Sequence, residues 1–177
     1  MIRWIYFLIL VLLAVVVQTS VVPVVWFRTP LGYVGPELLA AVAVFVALHV
    51  RSRVEAALAG WTLGFAIDLT LSGPGMGLAS LLYMAASVGV YQLREAVFHE
   101  RASLQFILSL LFCLFVYELW TLWGLLSGHL SRPVAGGQAV LAAGLAVYTA
   151  VLTPLVCRVL KPFQKLLIAT PPGRGRR

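Results

Sequence analysis

Hydrophobic positions in this chain run in blocks instead of alternating with polar ones. Polar and turn residues cut it into apolar segments at roughly 4–25, 33–50, 54–72, 75–92, 103–126 and 136–160. Each approaches the roughly 20 residues that a helix needs to cross a bilayer core, the second being the short one. Segments this long and uniformly apolar do not suit barrel strands, and open sheet edges cannot face hydrocarbon. The predicted fold class is therefore an all-α membrane protein of six transmembrane helices, with residues 1–162 as one domain and 163–177 as a basic tail. The closing Thr-Pro-Pro-Gly-Arg-Gly-Arg-Arg has no packed element of its own. Met1-Ile2-Arg3 and the run behind it imitate a signal peptide. The run resumes after Gln18-Thr19-Ser20 and no Ala-x-Ala site follows, so it reads as an uncleaved first span.

Composition supports the same picture, with 62% apolar and 11% charged residues in 177, against about 25% charged in a soluble domain. The net charge of +7 reports topology and not nucleic acid. With the N-terminus inside, Arg3, Arg51, Arg53, Arg94, Arg101, Arg158, Lys161, Lys165, Arg174, Arg176 and Arg177 are cytoplasmic, and only Arg28 and Arg132 are outside. Both termini are then cytoplasmic, which requires an even number of spans. Residues 26–36 mix aromatics with helix breakers and predict an external loop or short interfacial segment. Pro36-Glu37 reads as a helix start, with the carboxylate facing unpaired amides. The two cysteines, Cys113 and Cys157, read as reduced packing residues, and His49, His99 and His129 lack the spacing of a metal site. No cofactor is expected.

Two acids fall inside spans. Asp68 precedes a glycine-rich turn containing Gly73, Pro74, Gly75 and Gly77, and is tolerable in lipid if it points at the amides that begin the next helix near 74–77. Its readings are a carboxylate that stabilises the connection, or a ligand or proton site. Glu118 lies mid-span without an obvious cationic partner. In-span groups such as Gln18, Ser80, Tyr83, Tyr117, Thr121 and Thr149 suffice to satisfy one protonated carboxyl group. Internal polar packing and a ligand or partner contact both stay open for Glu118. Ala56, Gly60 and Gly64 line one face of the third span, with a weaker face of Ala139, Ala143 and Val147 on the sixth; such faces let helix backbones approach closely, within the chain or against a partner. Gly60→Leu and Gly64→Leu are expected to disrupt packing, and Arg176→Ala to be nearly silent.

Three stretches in order carry a resemblance. They are Val16-Val-Gln18-Thr-Ser20-Val-Val-Pro23, then Gly35-Pro36-Glu37-Leu-Leu39, then Arg53-Val-Glu55 running through Gly60-x-x-x-Gly64-Phe-x-x-Asp68 to Ser72-Gly-Pro74-x-Gly-Leu78. In the last stretch two residues, Gly75 and Met76, separate Pro74 from Gly77. Over about residues 10–95 the chain resembles the rod-shape-determining protein MreD family. The resemblance implies a non-enzymatic membrane component of the bacterial elongation machinery, located in the inner membrane. It implies association with MreC, a single-span protein, and through it with a RodA-type glycosyltransferase, a penicillin-binding transpeptidase and MreB. A homo-oligomer stays open. It also implies a fold similar to the S components of energy-coupling-factor transporters. By carry-over, Gln18, Pro36, Glu37, Asp68, Gly73, Pro74 and Gly77 occupy the family's motif positions, with Glu37 where many relatives carry Asp. The alternative is an S-component-like subunit binding a small vitamin. A membrane-embedded enzyme ranks third, because no paired acids and no nucleophile–base arrangement can be read from the chain.

Overall fold

The apolar blocks become helices in the computed structural model, which describes residues 2–29, 32–70, 75–96 and 102–167. In chain order they are α1 (Trp4–Ser20), a 3-10 turn (Val22–Val25), the strands β1 (Phe27–Thr29) and β2 (Gly32–Val34), α2 (Leu38–His49), α3 (Arg53–Thr70), α4 (Leu78–Ala96), α5 (Ala102–Leu126), α6 (Arg132–Leu160), a second 3-10 turn (Lys161–Phe163) and α7 (Gln164–Leu167). The loop or interfacial segment expected over 26–36 contains an antiparallel hairpin, with Phe27 paired to Val34 and Arg28 to Tyr33. Among the described residues two helices, Ser103–Leu126 and Val134–Phe163, are long and apolar enough to cross a membrane.

The short α2 forms the centre of the bundle. Its twelve residues rise about 18 Å, and every residue from Leu39 to Leu48 is buried, as suits a helix that is apolar all round. A helix enclosed at both ends must still satisfy its terminal N–H and C=O groups. Other helices supply the partners. At the first end the Leu38 amide donates to Gln18 Oε1 of α1 at 2.8 Å, Gln18 Nε2 donates to the Pro36 carbonyl at 3.3 Å, and the Glu37 amide donates to Thr149 Oγ1 of α6 at 3.0 Å. At the far end the Arg94 guanidinium of α4 donates to the Leu48 carbonyl at 2.7 Å, where the helix dipole favours positive charge.

Ala56, Gly60 and Gly64 turn inward against α4. A Cβ at Gly60 would lie 2.6 Å from the Tyr83 carbonyl oxygen, and one at Gly64 2.5 Å from that of Ala79. The small-residue face of α3 is thus occupied inside the bundle. On α6 the buried small stripe is Ala142, Ala146 and Ala150, one position off the Ala139, Ala143 and Val147 face expected from sequence; Val147 is exposed. Register along a uniformly apolar helix has no polar face to fix it, which is why the stripe was displaced.

α1 buries only Phe7, Val11 and Ala14, while Ile5, Leu8, Leu12, Leu13 and Val16 are exposed. An outer face as apolar as the inner one has no side made for water. The Arg3 amide donates to the Leu167 carbonyl at 2.8 Å, so both ends of the described chain meet at one end of the bundle. There α7 lies against α1 with Leu167 buried, although residues 163–167 were assigned to the tail; the tail from 168 onward lies outside the described residues.

Candidate functional site

The opposite end of the bundle, where α2 and α4 begin, gathers most of the motif residues. Gln18, Pro36 and Glu37 meet there through the bonds that cap α2. The expected role of Glu37 is corrected by this geometry: its carboxylate does not cap its own helix, because Gln18 takes the Leu38 amide. Instead the Tyr83 hydroxyl of α4 donates to Glu37 Oε1 at 2.6 Å, and the Tyr117 hydroxyl of α5 donates to Oε2. Three helices therefore converge on one carboxylate.

Asp68 points at the amides that open the next helix, as its place before the turn suggested, two or three residues past the expected 74–77. It is 4% exposed and accepts from the Ala79 amide at 3.2 Å, the Ser80 amide at 2.9 Å and the Ser80 hydroxyl at 2.5 Å. These amides open α4 and have no partner within their own helix, so a carboxylate from α3 serves as a cap in trans, assisted by the positive end of the dipole. All its close partners are internal, which fits the reading that it stabilises the connection. Gly77, at φ +95°, takes a left-handed backbone in the turn into α4 that glycine adopts without strain. Gly73 and Pro74 lie outside the described residues. Gly60 and Gly64 sit at the α3–α4 contact, Gly64 against Ala79 and Ser80 in the first turn of α4 and Gly60 one turn deeper against Tyr83 and Ser87.

Between these groups lies a cavity of about 460 Å³ lined by Trp26, Tyr33, Glu37, Tyr83, Tyr117 and Trp120 among others. Sequence reasoning read the aromatics of residues 26–36 only as part of an external loop or interfacial segment and did not foresee that Trp26 and Trp120 share a cavity. Trp26 is held over the backbone at Gly35, where any Cβ would collide with its indole. Gln138 also lines the cavity, and nothing in its sequence context marked it.

Glu118 goes the other way. It is exposed on the outer face of α5, in a ridge with Leu111, Phe115 and Leu122, all of them exposed. Among the described residues it has no hydrogen-bond partner. Internal polar packing, one of its two sequence readings, is therefore not what the structure shows. Adjacent residues on a helix point about 100° apart, so Tyr117 faces the cavity while Glu118 faces outward. Cys113 and Cys157 are buried and unpaired with each other. His49 Nδ1 donates to the Phe45 carbonyl at 2.7 Å, and His129 bonds Ser127; His99 lies outside the described residues. Among the described residues no three His, Cys, Asp or Glu side chains are grouped as a metal site would require.

A helical bundle with largely apolar outer faces, two helices among the described residues long and apolar enough to cross a membrane, and Glu37 lining a cavity at one end fits the class of helical membrane proteins. The chain belongs to the MreD family: the family described as rod shape-determining protein MreD matches residues 1–162. Rod shape determination is thus the setting of its function. No match was found among curated proteins or among solved structures.

Proposed function

We propose that this protein is a non-enzymatic scaffold of the bacterial elongation machinery, crossing the inner membrane six times with both termini in the cytoplasm. It binds MreC through an outer helix face and thereby helps to organise RodA, its transpeptidase and, indirectly, MreB for lateral peptidoglycan synthesis. The S-component-like fold and the division into a transmembrane domain, 1–162, and a basic tail, 163–177, belong to this proposal. So does a supporting role for the motif residues Gln18, Pro36, Glu37, Asp68, Gly73, Pro74 and Gly77 in shaping the external end, with Gly60 and Gly64 holding α3 against α4.

The observation that carries the reading is Glu118 on the outside of α5. Residue 118 stands four positions past the middle of the Ala102–Leu126 helix, about 6 Å along the axis. A carboxylate so close to the middle of a span is costly facing lipid and calls for a donor. Leu111, Phe115 and Leu122 give a partner helix an apolar ridge, and Glu118 gives it one fixed polar register point. The occupant is a single-span helix with a basic or hydroxyl side chain at matching depth.

The test is affinity purification in mild detergent from native membranes, comparing wild type with Glu118→Leu. Recovery of an MreC-like single-span protein with wild type, and its loss with a folded Glu118→Leu, is the expected result. Equal recovery with both would remove α5 from the interface. Recovery of paired ATPases and a membrane coupling subunit would replace the scaffold by a transport subunit.

A further inference from the structure

The cavity beside Glu37 has chemistry that a scaffold does not require. An ionised carboxylate offers about four acceptor positions, and the two phenols that reach Glu37 fill about two of them. Both are neutral donors, and no basic side chain among the described residues acts on this carboxylate. Glu37 is only half-buried, and it lines the cavity, so its remaining acceptor capacity is open to what enters there. The walls include Trp26, Tyr33 and Trp120, whose ring faces carry partial negative charge and attract cations. A half-buried carboxylate between two phenols, walled by aromatic rings and without a cation beside it among the described residues, is complementary to an ammonium group. At about 460 Å³ the cavity falls within the roughly 300–1,000 Å³ of small-molecule sites. Gln138 adds an amide to the lining and can bond a polar atom elsewhere on the guest.

We propose that this cavity is a binding site for a small primary-ammonium ligand, whose nitrogen docks on Glu37 between Tyr83 and Tyr117 and whose body packs against the Trp26 and Trp120 rings. Both a free organic amine and the headgroup of an aminophospholipid present this chemistry. The site is lined by residues other than those of the outer face of α5, so its failure and the failure of partner capture are read in separate experiments.

The full chain is reconstituted in nanodiscs of phosphatidylcholine and phosphatidylglycerol, which hold no primary amine. It is titrated with 2-phenylethylammonium, and in a second arm with short-chain phosphatidylethanolamine, by calorimetry and by tryptophan fluorescence, to which Trp26 and Trp120 report directly. Saturable binding is expected in at least one arm. Binding in the first arm alone identifies a free amine, in the second alone a lipid headgroup, and in both the ammonium group itself. Glu37→Gln is expected to weaken binding about tenfold or more, as loss of a charge-assisted bond implies, and 2-phenylethanol is expected not to compete. Because Glu37 also joins three helices, Trp120→Leu provides a second variant that weakens binding without touching those bonds, while Trp61→Phe, outside the cavity, leaves it unchanged. No saturable binding in either arm, equal competition by the alcohol, or wild-type affinity in both folded Glu37→Gln and folded Trp120→Leu would overturn the assignment.

Discussion

Gly64→Ala probes a close backbone contact between α3 and α4 with a single methyl group. A Cβ at position 64 would lie 2.5 Å from the Ala79 carbonyl oxygen and 2.6 Å from Ser80 Cα, where comfortable separations are about 3.5–4.0 Å. Both atoms are backbone, so no side chain can swing aside and α3 and α4 must part by about 1 Å. The same turn of α4 carries the amides that bond Asp68 at 3.2 and 2.9 Å, and such a shift takes both beyond the roughly 3.5 Å at which a hydrogen bond is lost. Overpacking costs about 1–3 kcal/mol and a stretched bond to a charged group about 1.5–3 kcal/mol. Against these, alanine improves on glycine in a helix by about 1 kcal/mol. The net expectation is destabilisation by about 2–4 kcal/mol. Gly89→Ala on α4 is the matched control, because a Cβ there meets nothing within 4 Å; it is expected to stabilise by about 0.5–1 kcal/mol. Equilibrium unfolding by sodium dodecyl sulfate in mixed micelles, followed by tryptophan fluorescence, gives both shifts on one scale. If the two substitutions move the midpoint in the same direction by similar amounts, the close α3–α4 contact at Gly64 is wrong.

Asp68→Ala leaves the Ala79 and Ser80 amides without their acceptor and is expected to destabilise by about 2–6 kcal/mol in the same titration, at about 1–3 kcal/mol per orphaned donor; Asp68→Asn, which keeps an acceptor oxygen, should lose less, and equal losses would show that charge and not hydrogen bonding is the main contribution. Ser87 is buried against Gly60, and its hydroxyl has no hydrogen-bond partner among the described residues, so Ser87→Ala is expected to stabilise by up to about 1 kcal/mol, and a measured loss would mean that the hydroxyl has a partner after all.

The helices were legible because lipid-facing and core-facing positions are equally apolar, which leaves polar residues only at ends and at sites. Asp68 was legible for the same reason: an acid directly before a glycine-rich turn has few partners besides the next helix's amides. The pairing of donors with acids was not. Tyr83, Tyr117 and Thr149 stood out as in-span polar groups, and Glu118, next to Tyr117 in the chain, was the acid they were set beside. The structure instead gives Tyr117 to Glu37, eighty positions away, and turns Glu118 outward. Chain proximity on a helix says little about shared direction, and hydropathy periodicity was too flat to fix the rotation of α5 or α6. The cavity was hidden because its aromatic walls come from a hairpin, α4 and α5, whose meeting depends on that same rotation.

That rotation ties the two proposed surfaces together. Tyr117 and Glu118 are consecutive on α5, so a turn of this helix that improves the fit of Glu118 to a partner's donor also moves the phenol that holds Glu37. Glu37 in turn opens α2, whose first amides are fixed by Gln18 on α1 and Thr149 on α6; displacement of its side chain therefore pulls on caps from two further helices. Thermodynamic linkage makes any such coupling reciprocal. If an ammonium ligand in the cavity tightens capture of the partner helix by some factor, the partner must tighten binding of that ligand by the same factor. Measuring both in nanodiscs separates two behaviours that capture experiments alone cannot: equal factors above one make the cavity a control point for assembly, whereas factors of one mean that α5 holds its rotation and the two surfaces work independently.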